Sequence, residues 1–468
     1  MMEETAVATL AAFAAEQRDI ASDEVLEDAR QRVLDTLGIC VPALQTDTGR
    51  AIRELVRAWG GTPQSVALGE AERLPAPSAA LVNGTLAHAL DFDDTHVPSI
   101  SHPSASTVAA ALAVAEDVHA PGRNLLAGVA VGNEITLRLG NAAYDPGIGN
   151  SVFFERGLHA TSICGALGSA AAAGVVMGLD RVRIAHAMGI AASMGAGLLE
   201  ANRAGGSVKR IHCGWAAHAG VVAAQAARAG ITGPPTVLEG RFGFFRAYCG
   251  DTYDASALLD DLGIQWQYGD CFVKPYPTNV FTHTGIDAAL MLREQGVRPD
   301  DIRAVQVGVP SPVLRTIAEP RAAKIRPESG YHAQFSGPFT FALALVGGGG
   351  LGVYLDDFTD AAVRDPRMLA LAERITHVPN AECDRLFPMQ FPSIVDVVLD
   401  SGETRHVEVL ANRGTAQRPL TAEDLTTKFH LNSRALGEGA DHLVHRVTSL
   451  TERVDCSDLL EGIVPPVP

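Results

Sequence analysis

The spacing of apolar residues predicts helices through the first 269 residues. The segments with helical spacing are 24–37, 51–59, 78–90, 104–118, 125–139, 159–177, 182–199 and 209–230. Glycine and proline clusters such as GGTP and DPGIG separate them. Convincing alternating strands are missing from this half. An all-helical domain over residues 1–269 is therefore expected.

The pattern changes after residue 270. Residues 302–309 (IRAVQVGV) alternate like a half-buried strand, and residues 394–399 and 405–410, joined by DSGET, predict a β-hairpin. Helical spacing intervenes near 281–294, 334–345 and 366–374. This predicts a smaller α+β domain over residues 270–415. Helical spacing returns in residues 416–468, which are expected to rejoin the first domain, so the fold class is mainly α.

One apolar run, residues 163–179 (ICGALGSAAAAGVVMGL), is long enough to raise the question of a membrane span. Its glycine and alanine content makes it only weakly hydrophobic, so a helix buried in a helical core is predicted. The N-terminus carries acidic residues where a signal peptide would carry basic ones. A cytoplasmic location is expected.

Charge and cysteine content exclude several classes of function. The net charge of −17 argues against nucleic acid and anionic membranes as partners. An acidic small molecule would need cations concentrated in a pocket. The cysteines are scattered and odd in number and form no CxxC pair, which predicts neither a zinc or iron–sulfur site nor a disulfide framework: Cys40, Cys164, Cys213, Cys249, Cys271, Cys383 and Cys456.

Lysine is scarce in this chain. Only four of the 37 basic side chains are lysine, and two of them lie in unusual contexts: Lys209 in GGSVKRIHCGW and Lys274 between prolines and apolar residues in CFVKPYPTN. A lysine can change its protonation state on burial, whereas an arginine stays charged. Both are candidate functional residues; the alternative for Lys274 is a surface lysine in a linker.

Two histidines are predicted at helix N-termini. His102 precedes Pro103, which suits the first position of a helix, and His159 opens the helical segment HATSICG. Unpaired backbone N–H groups and the positive end of the helix dipole favour a carboxylate ligand there. For each histidine, a capping or hydrogen-bonded core role is the alternative.

The stretch HALDFDDTHVPSISHPSAS (88–106) concentrates acidic residues and histidines. Asp91, Asp93, Asp94 and His96 could bind a hard cation, but the stretch lacks the glycine turn and terminal glutamate of a calcium loop. No metal is therefore expected. With Lys209 and Lys274, the stretch instead predicts a mixed acid–base pocket for a polycarboxylate.

Several motifs together resemble the MmgE/PrpD family, which includes 2-methylcitrate dehydratases, cis-aconitate decarboxylases and iminodisuccinate epimerases. They are NGTLAHALDFDDTH, the HPS at residue 102, ERGLHATSICGALGSAAAAG, GGSVKRIHCGWAAHAG and KPYP. The resemblance extends over nearly the whole chain. It implies a helical domain built from both chain ends, a smaller α+β lid, an active site in the cleft between them without metal or organic cofactor, and commonly a homodimer.

The resemblance also implies site residues. The positions that match catalytic residues of the family are Asp91, His102, His159, Lys209 and Lys274, and Thr95 matches a substrate-binding one. Tyr331 is a looser match. Asn279 is a further predicted substrate-binding residue. It stands where the decarboxylase branch has a histidine, and asparagine cannot carry a proton, which makes cis-aconitate a doubtful substrate. Asp93, Asp94 and His96 are expected to be scaffolding.

The function expected from the sequence is a cofactor-free lyase that removes a proton next to a carboxylate of a small di- or tricarboxylate, as a 2-methylcitrate dehydratase does. Three alternatives stay open: a dicarboxylate epimerase or isomerase, a cis-aconitate decarboxylase, and a non-catalytic carboxylate-binding relative.

Overall fold

The computed structural model describes residues 5–250 and 252–464, which divide into two compact units. The first contains the described residues up to 271 and from 429 onward, and the second contains residues 272–428. Helices account for most of the regular structure. The predicted mainly α fold class is confirmed.

The first unit is a helical assembly with one short antiparallel ladder. Up to residue 271 its helices are α1 (Ala6–Ile20), α2 (Asp23–Ala43), α3 (Asp47–Trp59), α4 (Ala76–His88), α5 (Pro103–Asp117), α6 (Gly122–Ala142), α7 (Val152–Glu155), α8 (Ala160–Val176), α9 (Arg181–Ala191), α10 (Ala201–Ala204), α11 (His212–Arg228), α12 (Phe244–Cys249) and α13 (Ala255–Leu259). The ladder pairs β1 (Tyr144–Asp145) with β2 (Asn150–Ser151), in a half where no strand was predicted.

Helix α8 lies at the centre of this unit. Every residue from Ala160 to Val176 is buried, and the helix packs against α5, α6, α9 and α11. Such close packing on all sides needs small side chains, which explains the alanine- and glycine-rich sequence. The prediction of a buried helix is confirmed. Among residues 5–250 and 252–464, no helix is long and apolar enough to cross a membrane.

Glycines set how closely α4 and α11 approach one another. A methyl group on Gly84 would lie 2.8 Å from the Cα of Gly214, and one on Gly214 would overlap the carbonyl oxygen of Leu81. Real Cβ atoms do not approach that closely, so these positions have no space for a side chain. The contact fixes α4, which ends at His88, against α11, which begins at His212.

The helix predicted over residues 182–199 ends earlier, at Ala191. Gly195 follows, and a Cβ there would lie 2.9 Å from the carbonyl oxygen of Ile163. The chain then forms an antiparallel bridge between Leu158 and Leu198. The apolar spacing predicted a helix to residue 199, but close backbone packing against the start of α8 ends the helix at Ala191.

The second unit contains a four-stranded sheet in the order β4-β3-β5-β6. Its strands are β3 (Ile302–Val309), β4 (Ile375–Pro379), β5 (Ser393–Leu399) and β6 (Thr404–Val409). Its helices are α14 (His283–Glu294), α15 (Leu314–Ile317), α16 (Arg321–Ile325), α17 (Gly330–Ala333), α18 (Gly337–Val346), α19 (Pro366–Glu373) and α20 (Ala381–Leu386). The predicted β3 and the β5–β6 hairpin are confirmed, whereas β4, parallel to β3, was not predicted.

The last helices are α21 (Ala422–Ser433), which begins in the second unit and ends in the first, and α22 (Glu438–Thr448). The segment that follows α22 is held against the first unit: Gly122 N–H donates to the carbonyl of Arg453 at 2.9 Å, and Cys456 N–H donates to that of Ala120 at 3.0 Å. Its apolar side chains Leu450, Leu459 and Leu460 are fully buried. This segment therefore belongs to the core of the first unit.

Candidate active site

The loop between α4 and α5 buries three carboxylates. Asp91, Asp93 and Asp94 are each at most 5% exposed. A buried carboxylate is costly unless cations or hydrogen-bond donors surround it. Each of the three pairs with a different residue, and these partners define the site.

Asp91 pairs with Lys209. Its Oδ1 lies 3.5 Å from the lysine Nζ, and both side chains are largely buried. The backbone of Asp91 is in the left-handed region, with φ of +54°. Aspartate is among the few non-glycine residues that adopt this conformation readily. Lys209 lies on the short 3₁₀ turn Val208–Ile211, directly before α11.

Asp94 fixes the beginning of α5. Its carboxylate accepts hydrogen bonds from Arg32 Nη1 at 3.1 Å, from Ser104 Oγ at 2.5 Å and from Ser104 N–H at 3.2 Å. Arg32 also donates to the carbonyl of Cys271 at 2.7 Å. Because Ser104 is in the first turn of α5, this network positions His102, the residue before that helix. Asp94 thus has the scaffolding position expected of it.

His102 and Thr95 are in contact. The Nδ1 of His102 lies 2.7 Å from the carbonyl oxygen of Asp94 and 3.2 Å from Thr95 Oγ1. A carbonyl only accepts, so Nδ1 carries the proton and Nε2 of the neutral ring holds a lone pair. The backbone N–H of His102 donates to Thr161 Oγ1 in the first turn of α8 at 3.1 Å. The N-termini of α5 and α8 are therefore held together.

His159 directly precedes α8, as predicted, and faces His212. Their Nδ1 atoms are 3.0 Å apart, so one ring donates and the other accepts. The backbone N–H of His159 donates to the carbonyl of Gly197 at 3.0 Å, and a Cβ on Gly197 would lie 3.1 Å from His159 Cβ. The glycine-containing segment after α9 therefore packs directly on this histidine pair.

Both of these histidines favour the neutral form. Burial, followed by the charges of His88, Lys209, His212 and His102, lowers the pKa of His159 well below 6.5. Burial, followed by the charges of His88 and Lys209, lowers the pKa of His212 to about 4. Near neutral pH the pair is therefore uncharged, and the ring that donates through Nδ1 keeps a lone pair on Nε2 that can accept a proton.

The ring of His88 lies next to both His102 and His159. Its ring centroid lies 5.3 Å from that of His102 and 5.5 Å from that of His159, and the rings of His159 and His212 are 5.1 Å apart. His88, His102, His159 and His212 are called the imidazole row below. Sequence reasoning left out His88 and His212 as site residues. The available signal was their presence in the quoted motifs, with His212 three residues after Lys209.

The remaining histidine of the loop, His96, has a local role. Its Nδ1 lies 2.8 Å from Ser99 Oγ, and its backbone N–H pairs with the carbonyl of Ser101 at 2.9 Å. Burial, followed by the charge of Arg32, lowers the pKa of His96 to about 3, so the ring is neutral. His96 stabilises the turn, as expected for scaffolding.

Among the described residues, one group has ligand atoms close enough for a metal ion: His88, Asp93 and Cys213. To bind a metal, the Cys213 thiol would have to lose its proton, yet burial and the charge of Asp93 raise its pKa well above 9.0. In addition, His88 Nδ1 is 2.7 Å from Asp93 Oδ2, so these two groups already satisfy each other. The donor set fits a hydrogen-bonded pair better than a metal site.

The other three predicted residues belong to the second unit. Lys274 is 1% exposed and lies in the KPYP segment, where Tyr276 donates to Asp287 at 2.6 Å. Asn279 is half-buried, and its side-chain oxygen accepts from the Phe281 N–H at 3.1 Å, which is a local helix-capping contact. Tyr331 is half-buried, with its ring 5.3 Å from that of Phe335. These three stay predicted site residues.

Comparison with known proteins finds matches to one protein family in both units of the chain. The model of the MmgE/PrpD N-terminal domain matches residues 8–255, and that of the C-terminal domain matches residues 276–450. The chain is similar to human cis-aconitate decarboxylase, with 29% identity over 463 residues that cover 95% of this chain and 92% of the relative. It is similar to the mouse cis-aconitate decarboxylase, with 27% identity over 450 residues that cover 94% and 89%. The Aspergillus terreus cis-aconitate decarboxylase is 27% identical over 474 residues that cover 96% and 93%. With both domain models matched in order along its length, this chain belongs to the MmgE/PrpD family.

Proposed function

We propose that this chain is a lyase that acts on a small di- or tricarboxylate at a carbon next to a carboxylate group. The observation that carries the proposal is the imidazole row beside the Lys209–Asp91 pair. Imidazoles that can move a proton lie beside the N-termini of α5 and α8, and the positive charge of Lys209 acts on two of them, His159 and His212.

These groups suit the difficult part of such a reaction. Removing a proton, or CO₂, from a carbon next to a carboxylate builds negative charge on the carboxylate oxygens. His159, whose low pKa keeps it neutral, is suited to accept a proton. The ammonium group of Lys209 and the positive ends of the α5 and α8 helix dipoles would stabilise the developing charge.

Two reactions of this class are supported by different observations. Decarboxylation breaks a C–C bond, releases CO₂ and places a proton on the remaining carbanion; the names of the human, mouse and Aspergillus relatives favour it. Dehydration breaks a C–H and a C–O bond and releases water. It is favoured by Asn279, which cannot deliver the proton that a histidine at this position would deliver.

Proton NMR in D₂O with a panel of polycarboxylates that includes cis-aconitate and 2-methylcitrate distinguishes these reactions. Dehydration gives a vinyl product without loss of carbon, whereas decarboxylation gives a product one carbon shorter with deuterium at the carbon that lost CO₂. Deuterium exchange without loss of mass would replace the lyase proposal by an epimerase. If no compound of the panel reacts but some still bind in a thermal-shift assay, the lyase proposal is replaced by that of a non-catalytic carboxylate-binding protein.

Lys274 is proposed as a carboxylate-binding or proton-donating residue, on the resemblance and its near-complete burial. We expect Lys274→Ala to lower kcat at least ~100-fold, the size of a general acid–base contribution. Lys324→Ala, a change at a lysine that donates to the carbonyl of Phe335, is the matched control. A Lys274→Ala rate near that of the wild type, in a steady-state assay with the best substrate of the panel, would remove this residue from the site.

A further inference from the structure

His88 forms a hydrogen-bonded pair with a buried carboxylate. Its Nδ1 lies 2.7 Å from Asp93 Oδ2, and both side chains are about 1% exposed. An ionised carboxylate only accepts, so Nδ1 carries the proton and the lone pair of the neutral ring is on Nε2. Within the described residues, this buried Nε2 has no hydrogen-bond partner. His88 therefore has a basic nitrogen, Nε2, buried inside the protein, and the hydrogen bond to Asp93 fixes the orientation of its ring.

The position of His88 in the imidazole row gives this atom a use. Its ring lies between those of His102 and His159, the two histidines that directly precede α5 and α8. With ring centroids 5.3 and 5.5 Å apart and no direct hydrogen-bond partner on His88 Nε2 in the part of the chain that the structure describes, proton transfer between the rings would pass through one water molecule. The charged and titratable groups around the row are Asp91, Asp93, Asp94, His102, His159, Lys209, His212 and Cys213.

Asp93 makes His88 differ from the other rings of the row. The Nδ1 of His102 contacts the carbonyl of Asp94 at 2.7 Å and is 4.0 Å from Asp93 Oδ1. His159 and His212 have each other as hydrogen-bond partner. A full negative charge in hydrogen-bond contact stabilises an imidazolium more than a carbonyl or a second imidazole does. A proton that enters the row is therefore best stabilised on His88.

We propose that Asp93 and His88 form a proton-holding pair behind the histidines that face the substrate, an inference that rests on the proposed lyase function. His102 or His159 takes the proton from the substrate carbon, so that a C–H bond breaks and an N–H bond forms. That ring passes the proton to His88 Nε2 and becomes neutral again, while Asp93 balances the new charge. In dehydration, the proton returns by the same route to the hydroxide that leaves as the C–O bond breaks, so water is released and no proton is consumed. In decarboxylation no C–H bond breaks; His88 instead holds a proton taken up from solvent and delivers it by this route to the carbanion left by CO₂, so one proton is consumed for each CO₂ released. His88 is thus a positioning and proton-storing residue.

The kinetic test uses His88→Asn. The asparagine side-chain NH₂ can replace the Nδ1–H donor to Asp93, but it has no basic nitrogen. We expect kcat to fall at least ~100-fold with KM little changed, because the ground-state contacts of the substrate remain. In His88→Ala, added imidazole should restore part of kcat. His96→Asn, a change at a buried loop histidine outside the row, should keep the wild-type kcat.

Asp93→Asn gives a readout that a purely structural role would not change. Loss of the carboxylate destabilises the imidazolium form of His88, so the acidic limb of the kcat–pH profile should move to lower pH. The inference is overturned if His88→Asn keeps the wild-type kcat and pH profile, or if imidazole fails to rescue a folded His88→Ala.

A second measurement needs no substrate and so separates this inference from the proposed function. In ¹⁵N-histidine-labelled protein, the His88 resonance, assigned by its loss in His88→Asn, should show the tautomer with the proton on Nδ1. That proton should be strongly downfield and should shift upfield in Asp93→Asn. If His88 is protonated on Nε2 instead, the proton-holding pair is wrong even when the enzyme is active. If the tautomer is as expected but no polycarboxylate reacts, the proposed function fails alone.

Discussion

At the scale of single residues, three neighbouring aspartates of the α4–α5 loop have different partners. Asp91 pairs with Lys209, Asp93 with His88, and Asp94 with Arg32 and the beginning of α5. The composition of DFDD alone cannot distinguish them, since each is a buried carboxylate. The partners distinguish them, and two of these partners, Lys209 and Arg32, lie far away along the chain.

The first residue-scale prediction concerns His159. We expect His159→Ala to lower kcat at least ~100-fold, because a neutral imidazole at the start of α8 is lost. In the wild type, the lowered pKa of His159 should place the acidic limb of activity below pH 6.5. Lys209→Met removes a nearby positive charge, stabilises the imidazolium and should move that limb to higher pH. Steady-state kinetics between about pH 4 and 9 measures both effects.

The second residue-scale prediction separates the charge of Asp91 from its backbone conformation. Asparagine tolerates the left-handed φ of +54°, so Asp91→Asn should keep the wild-type stability but lower kcat/KM by about 10- to 100-fold through a misplaced Lys209. Asp91→Ala should lose a further ~1–2 kcal/mol of unfolding free energy. Urea unfolding compares the variants. Equal stability of the two would show that the conformation imposes no strain.

At the scale of elements, the N-termini of α5 and α8 are what bring the site histidines together. Pro103 and the apolar spacing predicted both helix starts, because those signals are local in sequence. The row of rings could not be predicted, because it depends on how the end of α4 packs beside the starts of α5, α8 and α11. Strand β4 was missed for a related reason: ITHVP ends in proline, is short and half-exposed, and pairs only with the distant β3.

The element-scale prediction concerns the start of α5. Asp94→Ala would leave the buried guanidinium of Arg32 without this carboxylate and Ser104 without its acceptor, and should cost about 3–5 kcal/mol of unfolding free energy. Asp28→Ala removes another partner of Arg32, one that is 36% exposed, and should cost about 1 kcal/mol or less. Denaturant titration gives both values, and equal costs would contradict the capping role of Asp94.

At the scale of the whole molecule, the first unit needs residues from both ends of the chain. A chain shortened to end at Ser449 lacks five buried side chains: Leu450, Cys456, Leu459, Leu460 and Ile463. Burial of each large apolar side chain contributes roughly 1.5–3 kcal/mol. The stabilising free energy lost with these side chains is therefore comparable with the ~5–15 kcal/mol unfolding free energy of a typical domain. We expect this chain to lack a cooperative urea transition by circular dichroism, whereas a chain ending at Val464 keeps it. A cooperative transition near that of the wild type in the shorter chain would contradict this.

Other properties at this scale stay predictions. The domain limits at residues 269 and 415, the homodimer and the cytoplasmic location each need their own measurement, and light scattering on the purified protein measures the dimer. The charge of −17 keeps the prediction that neither nucleic acid nor an anionic membrane is a partner.

The glycine contact between α4 and α11 limits how descendants of this chain can diverge. Gly84 and Gly214 meet without space for a methyl group, and their helices carry His88 and His212. Side-chain size at this crossing therefore cannot drift without moving two rings of the site. New substrate preferences would have to arise in irregular segments such as residues 192–200, which border His159 without belonging to a helix. A directed-evolution library aimed at substrate range should be placed there, and the helix crossing left unchanged.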